Sequence, residues 1–344
     1  MLKSRGCFER VLSIGVVLVA LAHCSLARGD LPPPPSGIET STIDGIEFST
    51  IGHPGNRTTN YAERDGYSYI WGSVANQYRI SRTEITASQY LPFIQAYAAV
   101  NPSILNGPFY TSLFIGPSPS GQLQLGDPSF ANYAVDVGLL AAMRYCNWLH
   151  NGRNGSAASF ESGAYTITPI GYIPGQGYSD TITRSADARY WIPSVDEWVK
   201  AVYFDPNRYG TGVEGYWKFP YGSDEPPIPG IDTNGQLSLL YLSPVATYDH
   251  AQTPSGLFDA SGGWAEWTDT RYHQFSSDIN RFVLGSGIGG VVSIDDYLGT
   301  IGYLGGDFSG PNGFRIVTTV PGPSSVLLLG LAASFTRRKV RIYE

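Results

Sequence analysis

The stretch GLFDASGGWAEWTD, residues 256–269, combines two carboxylates, a glycine turn and two tryptophans. Asp259 and Glu266 lie seven residues apart, and a Ser-Gly-Gly turn separates them. A calcium ion takes about six to eight oxygen ligands, typically carboxylates mixed with backbone carbonyls. The spacing therefore predicts that this bend wraps one metal ion. The alternative is that Glu266 is a salt-bridged core residue and the tryptophans fill space, because a paired carboxylate tolerates burial.

The composition predicts a loop-rich fold with an aromatic core. Glycine (41) and proline (24) make up nearly a fifth of the 344 residues, which is below the level that signals disorder. Twenty-three tyrosines and seven tryptophans supply large apolar surfaces. The net charge of −7 disfavours a broad attraction to nucleic acid. We therefore expect no nucleic-acid partner.

The N-terminus predicts export. Basic residues within the first ten positions precede an apolar run at 11–22, and Ser25-Leu26-Ala27 provides the small residues that a signal peptidase reads. We expect a signal peptide at 1–27 and a stiff proline-rich spacer at 28–37. Cleavage would leave Cys146 as the one remaining cysteine, so no internal disulfide is expected.

Two helix starts are predicted from reciprocal capping patterns. Thr86 is followed three residues later by Gln89, and Ser194 is followed three residues later by Glu197. In such a pair the two side chains bond each other's backbone N–H groups at the start of a helix. These helices are expected to run to about residues 100 and 204.

The rest of the coarse reading follows from periodicity and composition. A third helix is predicted over 135–150, with Cys146 on its buried face as a small core hydrophobe. Short strands are predicted at 69–71 and 78–80. Residues 101–133 and 151–189 are predicted as long polar loops.

The motifs along the chain together resemble the formylglycine-generating enzyme / sulfatase-modifying factor family. The opening stretch is similar to the family signature G-L-x-D-M-x-G-N-V-W-E-W-x-x-D, with Gly263 in place of the usual asparagine and Trp264 at the small position. Further similar segments occur in family order: the E-I-T segment at 84–86, Y-C-N-W-L at 145–149, W-I-P-S-V-D-E-W at 191–198 and G-F-R-I at 313–316.

The resemblance covers residues 38–319 and implies one domain. The implied fold is α+β, of the formylglycine-generating-enzyme type and related to the C-type lectin fold. Such a domain is loop-rich, with short antiparallel sheets and few helices.

The resemblance also implies a chemistry that the residues of this chain do not support. Active family members oxidise a substrate cysteine to formylglycine with copper held by two cysteines, and Cu(I) selects such thiolate ligands. The matching interval, 283–314, contains no Cys, His, Lys or Arg. After Arg281 the second arginine, one glycine and the tryptophan of the family pattern are also missing. We therefore expect no copper, no catalytic residues and no formylglycine generation.

No other catalytic pattern replaces the missing one. The sequence has no H-E-x-x-H zinc spacing and no G-x-S-x-G nucleophile elbow. Residues 285–290 fit G-x-G-x-x-G formally, but no βαβ alternation surrounds them. Asp295 and Asp296 are expected on a solvated, extended loop, where adjacent side chains point to opposite faces.

The metal that the resemblance implies is calcium. Family members bind calcium through a segment that matches the Asp259 side chain, the carbonyls of Gly262 and Trp264, and the Glu266 carboxylate. Both carboxylates are present, and carbonyl ligands do not depend on the side chain. We expect a structural ion, which stabilises a loop-rich native state by mass action.

The C-terminus, residues 320–344, resembles a PEP-CTERM sorting signal. Val320-Pro321-Gly322-Pro323, with Gly322 where glutamate is usual, precedes an apolar run at 326–335 and a basic triplet at 337–339. The run is much shorter than the roughly 20 apolar residues of a membrane span. The resemblance implies exosortase-type sorting machinery, membrane contact through this signal alone, and a bacterial cell-envelope or extracellular location. The alternative is a frayed C-terminal helix.

The expected function combines these readings. It is an exported, non-catalytic, calcium-stabilised binding or envelope-associated module. It would bind an unknown peptide, glycan or envelope ligand through the aromatic and glycine-rich surface at 283–312. The first alternative is an active family oxidase that uses a non-standard site. The second is a purely structural matrix role.

Overall fold

The computed structural model describes residues 30–103, 112–168, 182–230, 234–272, 281–299 and 312–320, and the backbone alone of 171–173, 177–179 and 303–305. The expected signal peptide, most of the expected sorting signal and much of the glycine-rich 300–311 segment lie outside the described residues. Within the described part, no helix is both long and apolar enough to cross a membrane.

The strands are short, and each pairs antiparallel with its neighbours. They are β1 (Thr40–Ile43), β2 (Ile46–Ile51), β3 (Tyr78–Ser81), β4 (Ile115–Pro117), β5 (Leu123–Leu125), β6 (Gly171–Ile173), β7 (Gly177–Ser179), β8 (Tyr190–Trp191), β9 (Phe204–Asp205), β10 (Gly215–Tyr216), β11 (Glu266–Arg271), β12 (Arg281–Leu284), β13 (Tyr303–Gly305) and β14 (Val317–Thr319).

The main sheet brings the two ends of the domain together. Its strand order is β1-β2-β3-β14-β8, so the last strand lies between β3 and β8. Val317 of β14 pairs with Ile80 on one side and with Trp191 on the other. A second sheet of order β11-β12-β13 begins within the opening stretch, at Glu266. The remaining strands form two-stranded pairs.

The helices are α1 (Ala87–Val100), α2 (Leu139–His150), α3 (Ala157–Glu161), α4 (Val195–Tyr203) and α5 (Val292–Asp295). Both predicted capping boxes are confirmed, because Thr86 with Gln89 and Ser194 with Glu197 make the reciprocal bonds. Each box satisfies backbone N–H groups that have no partner inside the helix. The α+β, loop-rich prediction is also confirmed.

Aromatic rings from the first two helices form the centre of the core. Phe93 of α1 contacts the rings of Tyr145 and Trp148 from α2 and of Phe160 from α3. The centroids lie 5.5–5.9 Å apart, within the range where aromatic pairs attract. Cys146 is fully buried on α2, as the sequence predicts.

Tertiary pairing corrects several predicted boundaries. The predicted start of α2 at residue 135 is wrong, because Val135 bonds the Ile85 carbonyl and Val137 bridges to Asn312, which keeps 135–137 extended. The α4 helix ends at Tyr203 because Phe204 pairs with Tyr216 in β9–β10.

The predicted strand at 69–71 and the two predicted long loops also differ from the structure. Residues 69–71 form irregular chain, where Trp71 exchanges hydrogen bonds with Thr59. The predicted loop at 101–133 contains the β4–β5 hairpin. The predicted loop at 151–189 contains α3 and the β6–β7 hairpin.

The proline-rich segment contacts the domain. The Pro32 carbonyl accepts a hydrogen bond from Arg82 Nη2 at 2.8 Å, and the Pro33 carbonyl accepts one from Gln252 Nε2 at 3.1 Å. These contacts fasten the segment beside Gly256, where an added Cβ would lie 2.9 Å from Pro34.

Candidate functional site

The turn at 259–264 depends on residues that accept positive φ. Asp259, Gly262 and Gly263 have φ of 53°, 80° and 71°. Glycine adopts this region at no steric cost, and aspartate and asparagine tolerate it better than other side chains. Gly263, which stands where the family signature has asparagine, accepts its φ of 71° without strain.

Glu266 lies in a buried ion pair just beyond the turn. Its two carboxylate oxygens each lie 2.9 Å from Nε of Arg315, and the Trp198 indole N–H donates to Oε2 at 2.9 Å. The Glu266 side chain is 1% exposed and the Arg315 side chain is 0% exposed. This geometry is that of the salt-bridged core residue named above as the alternative to a metal ligand.

Arg315 uses its other N–H groups to hold three segments together. Nη1 donates to the Arg82 carbonyl at 2.8 Å, and Nη2 donates to the Phe258 carbonyl. Gly313, two residues before Arg315, exchanges backbone hydrogen bonds with Ala265 and Trp267. The arginine therefore joins the end of β3, the 256–259 loop and the start of β11.

Glu84 is a carboxylate that the sequence analysis did not assign to the site. Glu84 lies three residues after the end of β3 and is 2% exposed. Its Oε1 has no hydrogen-bond partner in the described part of the chain. A Cβ added to Gly313 would lie 1.8 Å from Oε1, and one added to Gly263 would lie 3.9 Å from Oε2. The missing side chain at Gly313 therefore leaves the space that the Glu84 carboxyl group occupies.

A small cavity adjoins this carboxylate. Its volume is about 20 Å³, enough for one water molecule or one ion. Three of the four predicted metal-binding residues line it, namely Asp259, Gly262 and Trp264, and Glu84 lines it with them. Glu266 does not line it. The 237–248 loop and residues 133–134 close the other side, through Tyr133, Ala134, Leu237, Ser238, Leu242, Ser243, Val245 and Tyr248.

Every second backbone carbonyl between Ser261 and Ala265 accepts a hydrogen bond. The carbonyls of Ser261, Gly263 and Ala265 accept bonds from Tyr221, Ile288 and Gly313. Among the described residues no donor bonds the carbonyls of Gly262 and Trp264. Asp259 Oδ2 accepts a 2.7 Å bond from the Ala246 N–H. Hard oxygen donors are therefore present at three of the expected ligands, as calcium requires.

Burial sets the charge balance of the three carboxylates. Burial raises the pKa of Asp259, and the Ala246 N–H and Arg315 oppose that rise. Burial raises the pKa of Glu266 as well, while the paired Arg315 guanidinium and the Trp198 N–H oppose the rise. The pKa of Glu84 is raised well above its ordinary value, first by burial and then by the charge of Glu266. The charge of Arg315 opposes that rise in the pKa of Glu84.

Asp296 supports the turn from behind, which corrects the prediction of a solvated loop. The residue is 0% exposed. Its Oδ1 accepts from the Ser286 N–H at 2.6 Å and its Oδ2 accepts from Ser261 Oγ, while Ser286 Oγ accepts from the Gly262 N–H at 3.0 Å. Burial raises the pKa of Asp296 to about 6. Asp295 is the last residue of α5 and Asp296 follows it directly, so the two aspartates do not lie on an extended segment.

The remaining candidates give no catalytic constellation in the described part of the chain. No group of three or more His, Cys, Asp and Glu side chains is arranged there to hold a metal ion. Cys146 is buried in α2, and burial followed by the charge of Asp269 raises the pKa of its thiol well above the ordinary value. The glycines at 285–290 follow an antiparallel strand, so the phosphate-binding context of a βαβ unit is lacking around them.

Comparisons with known proteins bear on the family. The family model described as "Sulfatase-modifying factor enzyme 1-like domain" matches residues 72–319 of this chain. No curated protein matches the sequence. Similar solved structures include CarF, with 20% identity over 81% of this chain and 100% of that chain and a TM-score of 0.45. PvdO from Pseudomonas aeruginosa has 15% identity over 84% of this chain and 99% of that chain, with a TM-score of 0.44.

A third similar structure is Treponema denticola variable protein 1. It has 14% identity over 83% of this chain and 99% of that chain, with a TM-score of 0.45. The family match spans most of the chain and includes both the turn and the Glu266–Arg315 pair. The chain therefore belongs to the sulfatase-modifying factor family, that of the formylglycine-generating enzyme.

Proposed function

We propose that this chain is a non-catalytic, exported member of its family that is stabilised by calcium and acts as a binding or envelope-associated module. The observation that carries the proposal is the number and location of the cysteines. Cys146 is the one cysteine beyond residue 27, and it is buried in the core with a raised pKa. A thiolate pair is what holds Cu(I) in a site of the family type, and one buried thiol cannot supply it.

The region where the family places its chemistry has a different character here. Residues 283–314 contain no Cys, His, Lys or Arg. Val283 and Leu284 are buried, while Ile288, Val291 and Ile294 are exposed. The exposed apolar side chains can bury area against a partner, and the interval offers no thiolate or imidazole ligand for copper. These features favour binding over the alternative of an oxidase with a non-standard site.

Formylglycine generation is the first test. Incubation of the purified protein with copper and a peptide that carries a substrate cysteine should leave the mass of the peptide unchanged, because no thiolate pair can hold the metal. An active family member treated in parallel is the positive control, and mass spectrometry is the measurement. Copper-dependent conversion of cysteine to formylglycine by this chain would establish the oxidase alternative.

The binding surface proposed here joins two neighbouring loops. The Gly289 N–H donates to the Leu239 carbonyl at 2.9 Å, so residues 288–294 adjoin residues 239–241. Leu240 is 71% exposed and Ile294 is 55% exposed. Contiguous exposed apolar side chains mark interaction sites more often than isolated ones do. We call Leu240, Tyr241, Ile288, Val291 and Ile294 the apolar patch, and assign it a peptide, glycan or envelope ligand.

Charged substitutions in the apolar patch test this assignment. Leu240→Asp combined with Ile294→Asp should abolish binding to the peptides or glycans that the wild-type protein selects from arrays, because burial of a charge against an apolar ligand is unfavourable. The melting temperature should stay unchanged, since both side chains are exposed. Leu113→Asp, at a 70% exposed leucine beside the β4–β5 hairpin, is the matched control. Equal binding by all variants would place the ligand elsewhere, and no binding by wild type would favour the structural matrix role.

The proposed role of calcium is to fasten the turn to the surface loop. The cavity lies between the 259–264 turn and the 237–248 loop, and that loop carries Leu240 and Tyr241. An ion bound by Asp259 and the carbonyls of Gly262 and Trp264 would fix the turn, and Asp259 would link it to the loop through the 2.7 Å hydrogen bond from the Ala246 N–H. Because the ion binds the native state alone, it stabilises that state by mass action.

Metal removal tests the role of calcium. Calcium at 100 times its Kd should stabilise the native protein by about 2.7 kcal/mol, measured as a rise in melting temperature that a chelator reverses. Asp259→Asn should abolish the rise, while Asp65→Asn, at an exposed carboxylate paired with Lys218, should keep it. A wild-type melting curve that does not respond to calcium or chelator would contradict the proposal.

Export and sorting are proposed from the two ends of the chain. The basic and apolar N-terminus supports cleavage after Ala27, and the apolar run with its basic triplet supports processing by exosortase-type machinery. Intact-mass analysis of the protein recovered from its native cell envelope decides both points. A mature protein that retains residues 1–27 would contradict export by this route.

A further inference from the structure

We propose that Arg82, Gln252 and Gly256 form a recognition site for an extended proline-rich peptide. The occupant of the site is the proline segment of this chain, residues 31–35, either its own or that of a second copy. The sequence predicts a stiff spacer for this stretch, whereas in the structure it lies on the domain and accepts hydrogen bonds from it. The inference is independent of the calcium role and of the apolar patch.

The site supplies hydrogen-bond donors to a segment that offers acceptors. Proline has no backbone N–H group, so the four consecutive prolines present carbonyls alone, and an extended polyproline chain makes no internal hydrogen bonds. Arg82 Nη2 donates to the Pro32 carbonyl at 2.8 Å, and Gln252 Nε2 donates to the next carbonyl, that of Pro33, at 3.1 Å. Donors aimed at two successive carbonyls match the backbone of a proline-rich peptide.

Arg82 sets the direction of both donors. Its Nη2 also donates to Gln252 Oε1 at 3.2 Å, so the amide oxygen faces the arginine and the amide nitrogen faces Pro33. The guanidinium is itself fixed, because Nε donates to the Gly256 carbonyl at 2.9 Å and Nη1 donates to Glu47 Oε1 at 2.7 Å. The arginine side chain is 0% exposed. The two donors therefore form one connected unit.

Gly256 allows the prolines to approach the backbone of the site. Its φ is 80°, and a Cβ added there would lie 2.9 Å from Pro34 Cβ and 3.1 Å from Pro35 Cδ. Glycine accepts this φ at no steric cost and leaves the space that the rings need. Pro32 and Pro34 are half-buried, whereas Pro33 and Pro35 are exposed, so one side of the segment faces the domain.

The loop that carries Gln252 and Gly256 is held from behind by α4. The hydroxyl groups of Thr253 and Ser255 both donate to the Ala201 carbonyl, and Thr253 Oγ1 accepts from the Leu257 N–H at 3.1 Å. None of these bonds involves the proline segment. The loop should therefore keep its shape when the segment leaves, and a preformed surface loses little conformational freedom when a peptide binds.

A short turn connects the segment to β1. The Ile38 N–H donates to the Pro35 carbonyl at 3.2 Å, and Gly37, with φ of 87°, has open space around it. When this turn opens, the segment of one copy can make the same contacts with a second copy, which is the basis of exchange between chains. In an isolated chain the short connection keeps the segment at a high effective concentration, so its own site is filled first.

The test uses a full-length open-site variant that carries Pro32→Gly, Pro33→Ser, Pro34→Gly and Pro35→Ser. These changes remove the rings and the stiffness that order the segment. The probe is a fluorescent peptide of sequence Asp-Leu-Pro-Pro-Pro-Pro-Ser, that of residues 30–36, and anisotropy is the measurement. The peptide should bind the open-site variant saturably and wild type about 10-fold more weakly, because a segment tethered at millimolar effective concentration competes with it. It should raise the melting temperature of the open-site variant alone.

Gln252→Glu, added to the open-site variant, tests the donor. It keeps an acceptor for Arg82 but presents a carboxylate to the Pro33 carbonyl in place of an N–H group. Peptide affinity should fall by about 10-fold, because a buried acceptor loses its partner. Gln122→Glu, at an exposed glutamine before β5, is the matched control and should leave peptide affinity unchanged.

Three results would overturn the site. They are no saturable binding of the peptide to the open-site variant, equal binding by wild type and the open-site variant, and unchanged binding after Gln252→Glu. The second copy is tested by mixing the open-site variant with a chain that carries Gln252→Glu alone, whose proline segment is released. Light scattering should detect a heterodimer in the mixture and monomers in each protein alone. Peptide binding without a heterodimer would overturn exchange between copies.

Discussion

The buried guanidinium of Arg315 is the constraint on which the rest of the structure depends. A cation removed from water must find a counter-charge and acceptors for its N–H groups. Glu266 supplies the charge, and the carbonyls of Arg82 and Phe258 supply acceptors. Because these partners come from distant parts of the chain, one side chain fixes the main sheet, the 256–259 loop and the second sheet relative to one another. The turn at 259–264 is built on that frame.

Four carboxylates lie in or near the Glu266–Arg315 pair, and they have different roles. Glu266 neutralises Arg315 and does not line the cavity. Asp259 and Glu84 face a cavity that holds one ion or water at most, and Asp296 fixes the turn through Ser261 and Ser286. Such a site is too small for a substrate and has no thiolate. We propose that it binds an ion that holds the turn in place; the surface loop beside it carries part of the apolar patch.

Local patterns predicted the features that local forces decide. The capping boxes at Thr86 and Ser194 depend on residues three positions apart, so the sequence alone located both helix starts. The start of α2 could not be found in this way, because Val135 and Val137 are held extended by partners distant in sequence. Asp296 was misplaced for a similar reason, since its burial depends on the serines of two other segments.

The turn at 259–264 combines features that the sequence revealed with features that it did not. The resemblance to the family implied that Asp259, Gly262 and Trp264 lie together, and they do line one cavity. The partner of Glu266 was left open, since nothing in the spacing connects it to Arg315. Glu84 carried no signal beyond its place in the E-I-T segment, because only the folded chain brings it past Gly313 to the turn.

The central claim is that Glu266 and Arg315 form a structural pair that is independent of any metal. A double-mutant cycle with Glu266→Gln and Arg315→Met, measured as the free energy of unfolding in chelator, tests it most directly. Each single change should cost about 3–5 kcal/mol, because each strands the other partner in the interior. The double change should cost clearly less than the sum of the two. Costs that add, or single changes that cost less than about 0.5 kcal/mol, would contradict the account.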